Sequence, residues 1–188
     1  MAIVSDGAWQ TPLGRAHIDA QLATELKQAC PSLCEDELAH RSEHSLEVQL
    51  PFLQFLSGDF CFVPIVLGPV AYPQLESLGQ AIGDVLRPQA DSVLVVGSSD
   101  MNHYESDEIT RRKDGLAIDR LIALDPQRLF EVVGQENISM CGIGAAVTLL
   151  TAARRLGATR ATLAAYATSA DANGDRTEVV GYAGLIVD

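Results

Sequence analysis

Two hydrophobic periods alternate along the chain, and together they predict an α/β domain. Ile18, Leu22, Leu26 and Ala29 recur at helical spacing and predict a helix over about 17–29. Leu46, Leu50, Leu53 and Leu56 predict a second helix, which Pro51 must kink or open from its first turn. The apolar run from Phe60 to Leu67, closed by Gly68, is strand-like, with Pro64 suggesting an edge or a bulge. Leu75, Leu78, Ile82, Val85 and Leu86 form a helical stripe ended by Pro88. Ser92 to Val96 is a short, nearly continuous apolar run, the pattern of a strand buried on both faces. Helices are predicted over about 107–123, 126–134 and 143–156, the second opened by Asp125-Pro126 as N-cap and first residue. Strands over about 161–168 and 178–187 flank the polar loop 169–176, while Met1 to Leu13 reads as the tail of an edge segment. Strands alternating with helices imply a mostly parallel or mixed sheet with helices on both faces. The expectation is one domain over 1–188, with an N-terminal βα portion absent.

Composition narrows the class of function. With 47% hydrophobic and 20% charged residues the chain is ordinarily globular, and no apolar run approaches the roughly 20 residues of a membrane helix. No basic-then-apolar leader is visible, so a cytoplasmic location is the default. The net charge of −12 repels phosphate backbones, and the one basic cluster, Arg111-Arg112-Lys113 after Asp107 and Glu108, fits a salt-bridged, solvated helix face. Nucleic acid is therefore not an expected partner. Cys30 and Cys34 lack the second ligand pair of a structural zinc site.

The candidate chemistry collects just past the predicted strand 92–96, where open α/β sheets place their ligands. Ser98, Ser99, Asp100, Asn102, His103 and Tyr104 follow one another there. Asp100 and His103 stand three residues apart, and a histidine can exchange a proton near neutral pH while a carboxylate orients it. The competing reading makes Ser98, Ser99 and Asp100 caps of the next helix. A second polar cluster, Arg41-Ser42-Glu43-His44-Ser45, has serines suited to N-capping and Glu43 suited to a first turn, leaving His44 unexplained. His17 and His40 read as surface residues. Cys141 precedes a long helix and suits anion binding, nucleophilic attack or simple packing at a Gly turn. No G-x-S-x-G elbow, Walker loop or dinucleotide fingerprint is present.

The stretch Glu43-His44-Ser45-Leu46-Glu47-Val48-Gln49-Leu50-Pro51 resembles the E-H-S-x-E-x-x-L-P motif of the Memo family, which includes the protein B component of the AmmeMemoRadiSam gene set. Val63-Pro64-Ile65-Val66-Leu67-Gly68, Ser98-Ser99-Asp100 with His103-Tyr104, Cys141-Gly142, and Tyr166-Ala167-Thr168-Ser169 with Val180-Gly181-Tyr182-Ala183 are similar in the same order. The resemblance implies a fold like class III extradiol dioxygenases, with a non-haem Fe(II) cleft at one end of the sheet. By this likeness His103 takes the acid/base position, with Asp100 and His44 lining the cleft and Ser99, Glu43, Tyr104 and Cys141 contacting substrate. The family's P-H-A-G-Y and G-x-x-H ligand motifs do not occur, and its third ligand position falls near Ala172, leaving Asp171 as the oxygen ligand candidate. The expectation is a metal site that is incomplete, so that iron is absent or weakly held. The rival functions are a non-catalytic module for a peptide or small anion and a hydrolase using Cys141 or Ser99. An uncovered edge would favour self-association or a covering partner.

Overall fold

The computed structural model describes residues 1–188, which divide into two compact units, Met1–Val70 and Ala71–Asp188. The architecture is mixed α/β, and no helix is long and apolar enough to cross a membrane.

In the first unit, β1 (Ala2–Ile3) lies between β4 (Cys34–Glu35), parallel to it, and β6 (Ile65–Val66), antiparallel. The start of the chain is thus a central strand and not an edge tail. β2 (Ala8–Thr11) forms a hairpin with β3 (Gly14–Ile18), whose other edge pairs in parallel with β5 (Cys61–Phe62). The run 60–67 is therefore two short strands in different sheets, broken by Pro64, which cannot donate to a ladder. α1 (Ala20–Ala29) begins later than its apolar stripe because Asp19 caps it, accepting the Leu22 amide at 3.0 Å, and Ile18 is left in β3. α2 (Glu37–His40) is a single turn capped by Asp36. His40 at its end is buried, not superficial, with Nδ1 at 2.8 Å from the Asp36 carbonyl. α3 (Leu50–Ser57) takes Pro51 into its first turn.

In the second unit, α4 (Tyr72–Leu86) crosses α7 (Ile143–Leu156) at close range, and α7 also packs on α6 (Pro126–Gln135), which meets α5 (Asp107–Ile122). Gly79 and Gly83, one turn apart on α4, make the crossing possible. A Cβ on Gly79 would stand 2.5 Å from Thr151 Cβ, and one on Gly83 2.6 Å from Arg155 Cβ. Leu75, Leu78, Leu129, Val147 and Leu150 fill the core with 0–1% exposure. β8 (Ala161–Thr168), the single turn α8 (Ala170–Asn173) and β9 (Val179–Val187) follow. β9 is central to an antiparallel sheet, between β8 and the short β7 (His103–Glu105), and α5 packs on β8 and β9.

The sheets are thus mixed, with antiparallel pairs outnumbering parallel ones, and the mostly parallel alternative is not formed. The run 92–96 is a further correction. A 3₁₀ segment ends at Ser92, and residues 93–100 pair with none of β1–β9. Leu94 and Val96 are 73% and 43% exposed. An apolar run states only that burial is favourable; ladder formation also needs a strand alongside, which this run lacks.

Two glycines should respond oppositely to alanine. A Cβ on Gly181 of β9 would lie 1.8 Å from Asp114 Oδ2, so Gly181→Ala should cost about 1–3 kcal/mol by overpacking. Gly115, inside α5, faces open space, and Gly115→Ala should gain about 0.5–1 kcal/mol of helix propensity. Urea unfolding of both variants measures the two signs.

Candidate metal centre

The polar turn after residue 97 enters order at Met101, whose amide donates to the Gly181 carbonyl at 2.9 Å, while the Gly181 amide donates back to the Asn102 carbonyl. His103 opens β7, opposite Val180. Tyr104 then takes a φ of 61°, a left-handed conformation that non-glycine residues rarely hold, and its ring is 76% exposed, edge-on to His103. Cys141 stands just before Gly142, the N-cap of α7.

Polar bonds join these segments. The Ser99 hydroxyl accepts the Gly142 amide at 2.8 Å and donates to the Asp100 carbonyl at 2.6 Å. The backbones come so near that a Cβ on Gly142 would stand 2.5 Å from the Ser98 carbonyl oxygen. The Asp100 amide donates to Cys141 Sγ at 3.3 Å. One donor atom from each of Asp100, His103 and Cys141 lies within 4.8 Å of the other two. His103 Nε2 stands 3.6 Å from Asp100 Oδ2, beyond hydrogen-bond reach, and is buried without a partner. The His103 side chain is 16% exposed and that of Asp100 is 50%. The three residues thus make a part-exposed cluster of imidazole, carboxylate and thiol, in which the buried His103 Nε2 has no hydrogen-bond partner.

That orphaned nitrogen is the test of whether a metal fits. Donors bonded at roughly 2.0–2.3 Å around a tetrahedral ion stand roughly 3.3–3.8 Å apart, so a cluster whose donors lie within 4.8 Å closes on an ion by a movement of about 1 Å, which falls to the exposed carboxylate and thiol. Imidazole, thiolate and carboxylate together suit borderline divalent ions such as Fe(II) and Zn(II). The residues present fit.

Of the other residues named from the sequence, Ser99 and Tyr104 flank the cluster. Ser99 spends its hydroxyl on the Asp100 carbonyl and the Gly142 amide, a brace and not a free nucleophile. Glu43 and His44 belong to the first unit, where Glu43, not a serine, caps the turn: its carboxylate accepts the Ser45 amide at 2.6 Å, the Ser45 hydroxyl and the Leu46 amide at 3.0 Å. His44 is exposed on that turn. Asp171 is engaged by Arg111, at 2.9 Å, and by the Thr168 amide at 2.8 Å, so its oxygens neutralise a guanidinium and close a loop. The resemblance placed Cys141 in one cleft with Asp100 and His103 as a substrate contact, but not as a ligand; 41 residues separate it from Asp100, so local spacing alone does not pair them.

Arg111 belongs to a larger lock. Buried Asp107 accepts Arg111 Nε at 2.9 Å, Arg176 Nη1 at 2.7 Å and the Thr168 hydroxyl at 2.6 Å, which fastens both ends of the loop between β8 and β9 to α5. The Thr168 hydroxyl and then Arg111 hold the Asp107 carboxyl below the usual carboxylate range, and the Thr168 amide and Arg111 do the same for Asp171. The basic cluster is indeed salt-bridged, yet Lys113 is buried against Glu105 at 2.7 Å instead of solvated. Asp114, wholly buried, is pushed the other way by desolvation, against bonds from the Tyr166 hydroxyl at 2.7 Å and the Asn102 amide at 2.8 Å.

A family profile described as Memo-like protein matches residues 1–186. The chain is 41% identical over 187 residues to a MEMO1 family protein of Methanopyrus kandleri, covering 99% of this chain and 66% of that protein. It is 42% identical over 186 residues to one of Pyrobaculum aerophilum, with 99% and 66% covered. The chain therefore spans about two thirds of the length of the curated relatives it matches.

The lock makes a signed prediction in acid. Depressed carboxyl groups stabilise the fold fully above the unfolded value near 3.8, and that contribution is lost as pH falls through their folded values. Asp114, with its raised value, acts oppositely: its contribution is present at low pH and is lost as pH rises through its folded value. Asp107→Asn should lower the urea midpoint at neutral pH and flatten its fall below about pH 4, whereas Asp114→Asn should remove a gain in stability that the parent makes on acidification towards about pH 4 and leave the fall below that unchanged. Urea midpoints measured from pH 2 to 7 compare the profiles.

Proposed function

The chain belongs to the Memo-like protein family, and we propose that its second unit contributes a divalent transition-metal centre held by Asp100, His103 and Cys141. The observation that carries this reading is the buried, unpartnered His103 Nε2 facing a carboxylate and a thiol. A buried nitrogen without a partner is costly, and a cation beside it would remove that cost. Three protein donors leave coordination positions for substrate or water, as catalytic centres require. When bound, such an ion supplies Lewis acidity and, if it is iron, the redox chemistry of a non-haem oxidoreductase.

The chain's own residues divide the work. His103 offers its nitrogen from a largely buried ring, which keeps bulk water off that side. Half-exposed Asp100 meets solvent and substrate, and can take or give a proton at Oδ2. Cys141 is held in place by the Asp100 amide, and Ser99 ties the turn carrying Asp100 to the start of α7. Tyr104, exposed beside the imidazole, offers an aromatic face to an incoming organic molecule. A second reading, Cys141 as a nucleophile, draws on the same amide-to-sulfur bond, and it differs in requiring no metal.

Titration of the metal-free chain with cobalt(II) separates these readings. We expect one ion per chain, a thiolate-to-cobalt absorption band, and affinity lowered at least about tenfold by His103→Ala or Cys141→Ser, with the band lost in the latter. Asp171→Asn should bind as the parent does. Absence of stoichiometric binding, together with rapid covalent labelling of Cys141 by an electrophile, would replace the metal reading with the nucleophile.

A further inference from the structure

Resting on that metal reading, we propose that Ser139 and Asn102 are positioning residues that set the spacing between the His103 and Cys141 donors. Neither residue belongs to the donor set. Asn102 precedes His103 by one position and Ser139 precedes Cys141 by two, and their side chains bind one another's segments. Asn102 Oδ1 accepts the Ser139 amide at 3.1 Å and lies 3.2 Å from the Ser139 hydroxyl. The Ser139 hydroxyl accepts the His103 amide at 2.7 Å, the shortest bond in the clamp. A single hydroxyl thus touches the backbone of one proposed ligand from the loop between α6 and α7 that leads into another.

The clamp has a fixed orientation. Asn102 is wholly buried, and its amide nitrogen donates to Glu105 Oε2 at 2.7 Å and to the Thr110 hydroxyl at 3.3 Å. Turning the amide over would place its NH₂ against the Ser139 amide donor and its oxygen against the Glu105 carboxylate, so two repulsions oppose the flip. Glu105 is itself paired with Lys113, and the Asn102 backbone amide is held by Asp114. Asn102 therefore cannot follow Ser139 outward. On the other side of the cluster Ser99 ties Asp100 to Gly142. Cys141 lies between these two ties, so its distance from His103 depends on both.

Metal affinity depends on donors being in place before the ion arrives, and residues that orient ligands are worth roughly 10- to 100-fold in affinity when removed. Ser139 is the position to test, since it is exposed and its substitution leaves the core intact. Ser139→Ala should weaken cobalt(II) binding about 10- to 100-fold. It should also reduce the thiolate-to-cobalt absorption per bound ion, with an unchanged thermal midpoint. Ser139→Thr, which keeps the hydroxyl, should restore both. In the metal-free chain, hydrogen exchange of the His103 amide should be accelerated by Ser139→Ala and not by Ser139→Thr. Parental affinity and band intensity in Ser139→Ala would overturn the proposal, as would His103 amide exchange that ignores the substitution. Failure of the parent chain to bind cobalt would overturn the metal centre itself, while the amide exchange would still decide whether the clamp exists.

Discussion

Asn102 is enclosed without solvent exposure, and both acceptor and donor sides of its amide are occupied. The candidate site depends on this buried side chain because the segment leading to it has no ladder and is tied through Ser99 and Asp100 to the start of α7 and through Asn102 to the core. Residues 93–100 join no ladder, and the first backbone pairing is that of Met101 and Asn102 with Gly181. From there inward a polar knot takes over: Asp114 receives the Asn102 amide and the Tyr166 hydroxyl, and Asn102 reaches Ser139, Glu105 and Thr110. Buried polar groups stabilise only when every member is satisfied, so this knot specifies one arrangement of β7, α5 and β9 and tolerates few others. Gly181 belongs to the same constraint, since the Asp114 carboxylate occupies the space a side chain would need.

The charged network around Asp107 adjoins this knot at the C-terminal end of β8, where Thr168 pairs with Gly181. It draws Arg111 and Arg176 onto a buried carboxylate and leaves Asp171 paired with Arg111. Arg111 also lies over the Tyr166 ring at 5.5 Å, and that ring's hydroxyl reaches Asp114. The lock and the knot are therefore linked through one tyrosine, whose own ionisation is pushed far up by burial and by the Asp114 carboxylate. In a chain carrying −12 net charge, cations are scarce, and here they neutralise buried or converging carboxylates.

Much of this fold was legible in the sequence, and the particular failures have physical reasons. β8, β9, α6 and α7 lie within a residue or two of their sequence-based bounds, because Asp125 caps α6, Gly157 closes α7 in a left-handed conformation, and a polar loop separates the strands. The run 92–96 misled because its apolarity is compatible with a strand while pairing depends on a neighbour that sequence pattern cannot supply. Lys113 was read as part of a solvated, salt-bridged face and His40 as a surface residue, yet each is buried with a backbone acceptor, Asn137 and Asp36 respectively. Hydrogen-bond partners of this kind leave no periodic trace.

The same distinction explains the site. Asp100 and His103 were legible as a pair because three residues separate them and both follow a strand-like run. Asp171 was named because the family's third ligand position falls beside it, but its partner Arg111 is 60 positions away. Cys141 read from spacing alone is a thiol at a helix start, and only the family resemblance assigned it to the cleft; its proposed role as a donor comes from the imidazole and carboxylate beside it. A sulfur near an imidazole and a carboxylate has softer donor character than an all-oxygen or two-imidazole set, which shifts preference toward borderline ions and away from magnesium or calcium. In the proposed centre the spacing of unlike donors would select the ion, and that spacing is braced by neutral groups: an amide, two hydroxyls and a glycine with no room for a side chain. Neutral braces can hold donors apart without competing for the cation, whereas a lysine or arginine in the same place would repel it.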